Sequence, residues 1–255
     1  AFTLTLIALA WLLYRDYSRD IRDASQQVSF VNQVSHELKT PLTNIRMYAE
    51  LLERDLETAE HELDARPRQR LAVITSEAQR LSRLIGNVLT FARQKRNTLE
   101  PHASEINVLQ LVRQIVGRFT PSLSEHGICA VVEGTDDQTL KVDPDFVEQI
   151  LGNLINNVER YAASGKSLLI RCATSKSTVT IDVIDSGPGI PASERGNVFR
   201  PFCLLSNDLR ASTGTGIGLS ITRELARLHH GDVQLMDSDR GCWFRVKLGT
   251  IKNPA

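Results

Sequence analysis

His36 stands between Ser35 and Glu37, and Thr40 follows one helical turn later, immediately before Pro41. These residue types at this spacing suit the transfer of a group onto an imidazole. At ~100° per residue, Leu38, Leu42, Ile45, Ala49, Leu52 and Leu56 form one apolar stripe, and His36 lies about 180–200° from Leu38 and Ile45. His36 therefore faces outward, with Thr40 only about 40° away around the same helix. An imidazole with a reference pKa near ~6.5 is largely neutral at cytoplasmic pH. One nitrogen then offers a lone pair when a carboxylate such as Glu37 holds the proton on the other, so Glu37 is the candidate general base or orienter.

Four later segments carry chemistry of a different kind. In Gly152–Tyr161, Asn153 and Asn157 lie four apart on one helix face, where their amide oxygens can point at a cation with phosphates on its far side. Asp185 emerges at the end of a predicted strand beside Gly187 and Gly189. There a carboxylate can accept from the exocyclic amine of a base while the backbone approaches the ring, or simply form a strand exit. Phe199 and Phe202, in Val198–Phe202, serve equally as loop anchors or as core. Gly214, Gly216 and Gly218 alternate at the opening of a helix, leaving amides free to meet phosphate.

The elements that must hold these residues follow from periodicity. From Arg15 to about Asp64 there is no Gly and a single Pro, which predicts one long helix with a kink at Pro41. A turn around Ala65-Arg66-Pro67 leads to a second helix with Leu71, Ile74, Ala78, Leu81, Ile85, Val88 and Ala92 at 3-4 spacing. Such a hairpin cannot bury its apolar face alone, so a homodimer forming a four-helix bundle is expected. Polar residues from about Lys95 to Glu105 read as a linker. Beyond it, helices over Val108–Leu123, Pro144–Tyr161 and after Gly216 alternate with strands at Ile128–Glu133, Leu140–Val142, Ser167–Ala173, Thr178–Asp185, Asp232–Asp237 and Trp243–Leu248. The expected fold class is thus multi-domain: an all-α helical hairpin over 15–98, then an α/β sandwich over 104–250.

Composition narrows the function. The 255 residues carry 30 basic and 30 acidic side chains. With no basic run interleaved with aromatics, a nucleic-acid partner is not expected. The four cysteines are far apart and lack metal-ligand spacing, as in a reduced cytosolic body. Phe2–Tyr14 is an uncharged, mostly apolar run that stops at Arg15. It is shorter than the ~20 residues a bilayer requires, so residues 1–14 read as the inner end of a truncated transmembrane helix. Trp11 and Tyr14 would lie near the interface, with arginines on the cytoplasmic side.

The string His-Glu-Leu-Lys-Thr-Pro-Leu resembles the phosphoacceptor motif of the sensor histidine kinases of two-component signalling. The four later segments, in this order, resemble the N, G1, F and G2 boxes of that family's ATP-binding domain, a Bergerat (GHKL) fold shared with gyrase-type ATPases and heat-shock chaperones. The resemblance covers roughly residues 28–249. It implies autophosphorylation of His36 from ATP with Mg²⁺, transfer to an aspartate on the receiver domain of a separate response regulator, and an opposing phosphatase activity in which Thr40 orients water. It implies Asn157 as metal ligand supported by Asn153, Asp185 on adenine, and Gly187, Gly189, Gly214, Gly216 and Gly218 shaping the site. Arg160 and Tyr161 match family positions near the nucleotide, and Cys203–Thr213 matches a mobile lid in which Arg210 meets phosphate. The implied location is the inner membrane, with the catalytic part facing the cytoplasm. Val158, Thr213 and Ile217 depart conservatively from the family pattern. Two alternatives are a dimeric scaffold that binds nucleotide without using His36, and a gyrase-like or chaperone-like ATPase, which leaves the His-bearing hairpin without a role.

Overall fold

The computed structural model describes Trp11, Val34 and residues 38–54, 66–96, 98–134, 139–203 and 215–251. His36, Glu37, Arg210, Gly214 and most of the apolar N-terminal run lie outside these residues. Among the described residues, no helix is long and apolar enough to cross a membrane. The chain divides into two compact units, Ala1–Leu81 with Thr213–Thr215, and Ser82–Ser212 with Gly216–Ala255.

The first unit is built on helix α1 (38–54) and the leading part of α2 (Arg66–Lys95). The helical run of α1 continues unbroken across the buried Pro41. Asn44 donates to Glu77 Oε1 at 3.1 Å, and Arg70 donates to the Leu51 carbonyl. As α1 advances from 44 to 51 its partner retreats from 77 to 70, so the two helices run antiparallel. Three positions of the predicted apolar stripes, Leu42, Leu71 and Ile85, remain 59%, 55% and 43% exposed in the single chain.

The second unit takes in the end of α2 and the α/β body. Its main sheet has the order β2-β4-β5-β7-β6, from β2 (Cys129–Glu133), β4 (Ser167–Thr174), β5 (Thr178–Asp185), β6 (Asp232–Met236) and β7 (Trp243–Gly249). Helices α3 (Val108–Glu125), α4 (Pro144–Tyr161) and α6 (Gly218–Leu228) pack with it, and the short α5 (Ala192–Arg195) precedes the Phe199 segment. On β5 the alternation is as its sequence suggests: Val179, Ile181 and Val183 are buried, with the intervening side chains on the other face. That other face carries a row of paired charges in register, Glu133–Arg171–Asp182–Arg245. Arg245 grips Asp182 with two bonds of 2.7 and 2.9 Å and holds its carboxyl below the usual range, against the opposing pull of burial.

Local sequence explains the ends of α4. Asp143 caps it, its Oδ1 accepting from the N–H groups of Asp145 and Phe146 at 2.9 and 3.1 Å, and Pro144 sits where a missing N–H costs nothing. One expectation is corrected. The segment read as linker up to Glu105 ends in a strand, β1 (Ser104–Asn107), paired antiparallel with β3 (Thr139–Val142). Ser, Glu and Asn are poor strand formers with no apolar alternation here, and only the pairing with β3 makes them one.

Candidate nucleotide-binding site

Within the second unit, three elements converge around the end of α4. Asp185 at the tip of β5 is 6% exposed. Its Oδ1 accepts the N–H groups of Gly187 at 2.8 Å and Cys242 at 3.2 Å. Burial pushes this carboxyl above its ordinary range, and the N–H groups of Gly187 and Cys242 together with the Cys242 thiol pull it partly back, with no cation offsetting it among the described residues. A buried carboxylate is a strong acceptor for an incoming amine. The adjacent Cys242 thiol is pushed up to about 12 by burial and by the Asp185 charge, so it stays protonated.

Glycines allow the close approach. A Cβ on Gly187 would lie 2.6 Å from the Ala162 side chain, at the C-cap of α4, so only a glycine brings the Asp185 turn against that helix. Gly241, at φ +73°, would drive a Cβ to 2.0 Å from the Asp185 carbonyl oxygen. Gly241 and Cys242 thus form the back wall of the Asp185 site. Sequence reasoning missed them, because an isolated Gly-Cys pair between two strands carries no motif; its one signal is a turn.

On α4, Asn153 is buried and both ends of its amide are engaged. Nδ2 donates to the Gly218 carbonyl at 3.2 Å, and Oδ1 accepts from Asn87 at 2.8 Å. One turn on, Asn157 is half-buried, and its side chain makes no hydrogen bond among the described residues. Its carboxamide oxygen suits a hard cation that takes one protein ligand and fills its other positions with phosphate and water. No cluster of three or more His, Cys, Asp or Glu side chains competes for a metal among the described residues. Arg160 lies over the Tyr161 ring at 5.6 Å, at the exposed end of the same helix.

The two phenylalanines have protein partners. Phe199 meets Phe244 edge-on at 6.3 Å and underlies Arg223 at 5.0 Å. Phe202, at φ +65°, meets Phe91 of α2 edge-on at 5.5 Å and donates its N–H to the Gly216 carbonyl at 2.9 Å. A Cβ on Gly216, at φ +64°, would fall 2.8 Å from the Phe202 backbone, so this pair pins together the two ends flanking residues 204–214. Gly218 opens α6, and Gly189 adopts φ +75° against the Gly241 carbonyl. The structure therefore brings Asn153, Asp185, Gly187, Gly189, Gly216 and Gly218 to one region around α4. In the other unit, Thr40 is exposed on α1.

A mixed sheet covered by helices, with a buried carboxylate at a strand tip and a glycine turn opening a helix, is the architecture of the histidine kinase-, DNA gyrase B- and HSP90-like ATPases, and residues 142–251 match that domain family. Residues 26–97 match the His Kinase A (phospho-acceptor) domain. The two matches together span well over half of the sequence, and the chain belongs to the sensor histidine kinases of two-component systems. Sensor histidine kinase MtrB of Mycobacterium tuberculosis is 33% identical over 231 residues, 89% of this chain and 40% of MtrB. The chain thus spans well under two thirds of the length of this curated relative. Among solved structures, full-length ShkA in complex with AMPPNP aligns over 87% of this chain and 46% of its own, with TM-score 0.57 and 26% identity. The Acinetobacter baumannii histidine kinase AdeS shares the fold, with TM-score 0.58 at 20% identity over 85% of this chain and 98% of its own.

Proposed function

We propose that this chain phosphorylates His36 from ATP and passes the phosphoryl group to an aspartate on a separate response regulator. The observation that carries the proposal is the presence, in one chain, of a phosphoacceptor domain and of a nucleotide-binding domain with a buried Asp185 that no cation offsets among the described residues. The Asp185 carboxylate accepts the adenine amine, held in place by Gly187 and Cys242. Asn157 holds Mg²⁺, which neutralises charge developing on the phosphates. Arg160, Tyr161 and Arg210 line the nucleotide, and Gly214, Gly216 and Gly218 present backbone to phosphate. The neutral His36 nitrogen attacks the γ-phosphorus, the bond to the bridging oxygen breaks, and ADP departs. Glu37 holds the proton on the other ring nitrogen throughout.

Thr40, exposed on α1, orients water against the phosphoaspartate of the regulator, which gives the opposing phosphatase activity. The active form is a homodimer, a proposal supported by the exposure of Leu42, Leu71 and Ile85, which a second hairpin would cover. The apolar run Phe2–Tyr14 would contribute to a membrane anchor that holds the chain in the inner membrane. The test is incubation of the chain with γ-labelled ATP. Protein-bound label that is acid-labile and alkali-stable supports a phosphohistidine, and absence of label, or acid-stable label, rejects it.

A further inference from the structure

A directed chain of hydrogen bonds runs from α2 into the centre of the second unit. Thr90 Oγ1 donates to Gln149 Oε1 at 3.0 Å, and Gln149 Nε2 donates to Asn87 Oδ1 at 2.9 Å. Asn87 Nδ2 then donates to Asn153 Oδ1 at 2.8 Å, and Asn153 Nδ2 donates to the Gly218 carbonyl at 3.2 Å and reaches Thr222 Oγ1 at 3.4 Å. The Gly218 carbonyl can only accept, so the orientation of every amide in the relay is set from that end. Asn87, Thr90 and Phe91 share one face of α2, and Gln149 and Asn153 share one face of α4. Phe91, beside the relay, is 7% exposed against Phe202.

We infer that Asn87 is a positioning residue for the nucleotide site, acting by holding the amide of Asn153 in the orientation that clamps α4 to the first turn of α6. This inference rests on the nucleotide-site assignment proposed above. Asn153 lies one turn before Asn157, and Gly218 closes the glycine turn, so the clamp fixes the spacing between the cation ligand and the phosphate-facing backbone. Without the Asn87 donor, Asn153 Oδ1 is a buried acceptor with no partner, and its amide has no reason to keep Nδ2 on Gly218. Asn87 lies far from the glycine-rich motifs in sequence, on a helix whose other residues read as part of the hairpin.

The informative variant is Asn87→Asp. Its carboxylate still accepts from Gln149 but offers nothing to Asn153 Oδ1. Asn153 then turns its amide over to donate to the carboxylate, which keeps α2 joined to α4 by a charge-assisted bond. The turned amide presents oxygen to the Gly218 carbonyl, so the clamp on α6 is lost while the helix contact survives. Asn87→Leu removes both. The full chain, solubilised in detergent, is titrated with Mg·ADP by calorimetry and melted in parallel.

The positioning role predicts that N87D weakens Mg·ADP binding about threefold to tenfold, the loss of one buried hydrogen bond, while its melting temperature stays near that of wild type. N87L should lose affinity and melting temperature together. In autophosphorylation, N87D should raise KM for ATP and leave kcat unchanged. Wild-type affinity in N87D overturns the inference, as does an N87D melting loss equal to that of N87L, which would make Asn87 a structural dock alone. Absence of Mg·ADP binding by the wild-type chain itself defeats the nucleotide-site assignment, and the inference with it.

Discussion

The Nε2 atom of His229 accepts a 3.0 Å hydrogen bond from the backbone N–H of Asp143, across 86 residues of chain. The other ring nitrogen, Nδ1, donates to the Leu225 carbonyl at 2.8 Å, so the ring is neutral with its proton on Nδ1. Asp143 in turn caps α4 and accepts the His102 N–H at 2.6 Å. One pair therefore joins the end of α6, the start of α4 and the chain leading into β1, with Phe146 edge-on to the imidazole at 5.8 Å.

Stability should fall on the acid side because of this pair. Burial holds the His229 imidazole below its usual 6.5, despite the raising effects of the Leu225 carbonyl and the Asp143 charge, and His230 lowers it further. The unfolded chain takes up this proton at about 6.5 and the folded chain only at lower pH. Unfolding is therefore favoured as pH drops below the unfolded value, by at most about 1.4 kcal/mol per pH unit for one proton. Urea midpoints of wild type and His229→Gln between pH 7.5 and 5.5 check it: the variant should show a shallower decline, and parallel declines reject the assignment.

Asp185→Asn should separate stability from binding. The raised carboxyl means that the ionised form is disfavoured by the fold above its folded pKa, a penalty relieved as pH falls. Removing the charge should leave the nucleotide-free fold as stable or more so. It should also weaken Mg·ADP binding by roughly tenfold to a hundredfold, as a charged hydrogen bond is lost. Calorimetry beside thermal melting reads both, and wild-type affinity in the variant would remove Asp185 from the adenine site.

Gly241→Ala tests the wall behind that carboxylate. At φ +73° and with a Cβ forced to 2.0 Å from the Asp185 carbonyl oxygen, alanine requires the turn to move. A loss of at least about 1 kcal/mol is expected, together with weaker nucleotide binding. Denaturant midpoints at wild-type level would show that the turn relaxes freely.

His36→Gln should abolish phosphorylation while leaving nucleotide affinity near wild type, since the imidazole and the nucleotide cradle belong to different domains. Acid-labile label in the variant would move the acceptor to another histidine.

Thr40→Ala should leave autophosphorylation largely intact and slow dephosphorylation of the regulator about tenfold or more, the scale of a lost proton-handling group. Alanine is the better helix former, so α1 should tolerate the change. Following the decay of purified phosphoregulator with either kinase decides it, and equal rates would leave Thr40 an ordinary surface residue.

What the sequence determined by itself was local. The bounds of α4 and β5 are those expected, Pro144–Tyr161 and Thr178–Asp185, because an Asp-Pro cap and a period-two alternation act over a few residues. The candidate chemistry-bearing residues were singled out by type and spacing, the adjacent His36 and Glu37 and the three alternate glycines among them. Tertiary structure decided the remainder. Strand β1 exists through its pairing with β3, the wall of Gly241 and Cys242 through a loop folding back on β5, and the link from Asn87 to Asn153 through the packing of α2 on α4. Each joins residues distant in the chain by a close approach or an oriented hydrogen bond. Neither leaves a periodic trace, because a single glycine or amide is chosen for a neighbour that only the folded chain supplies.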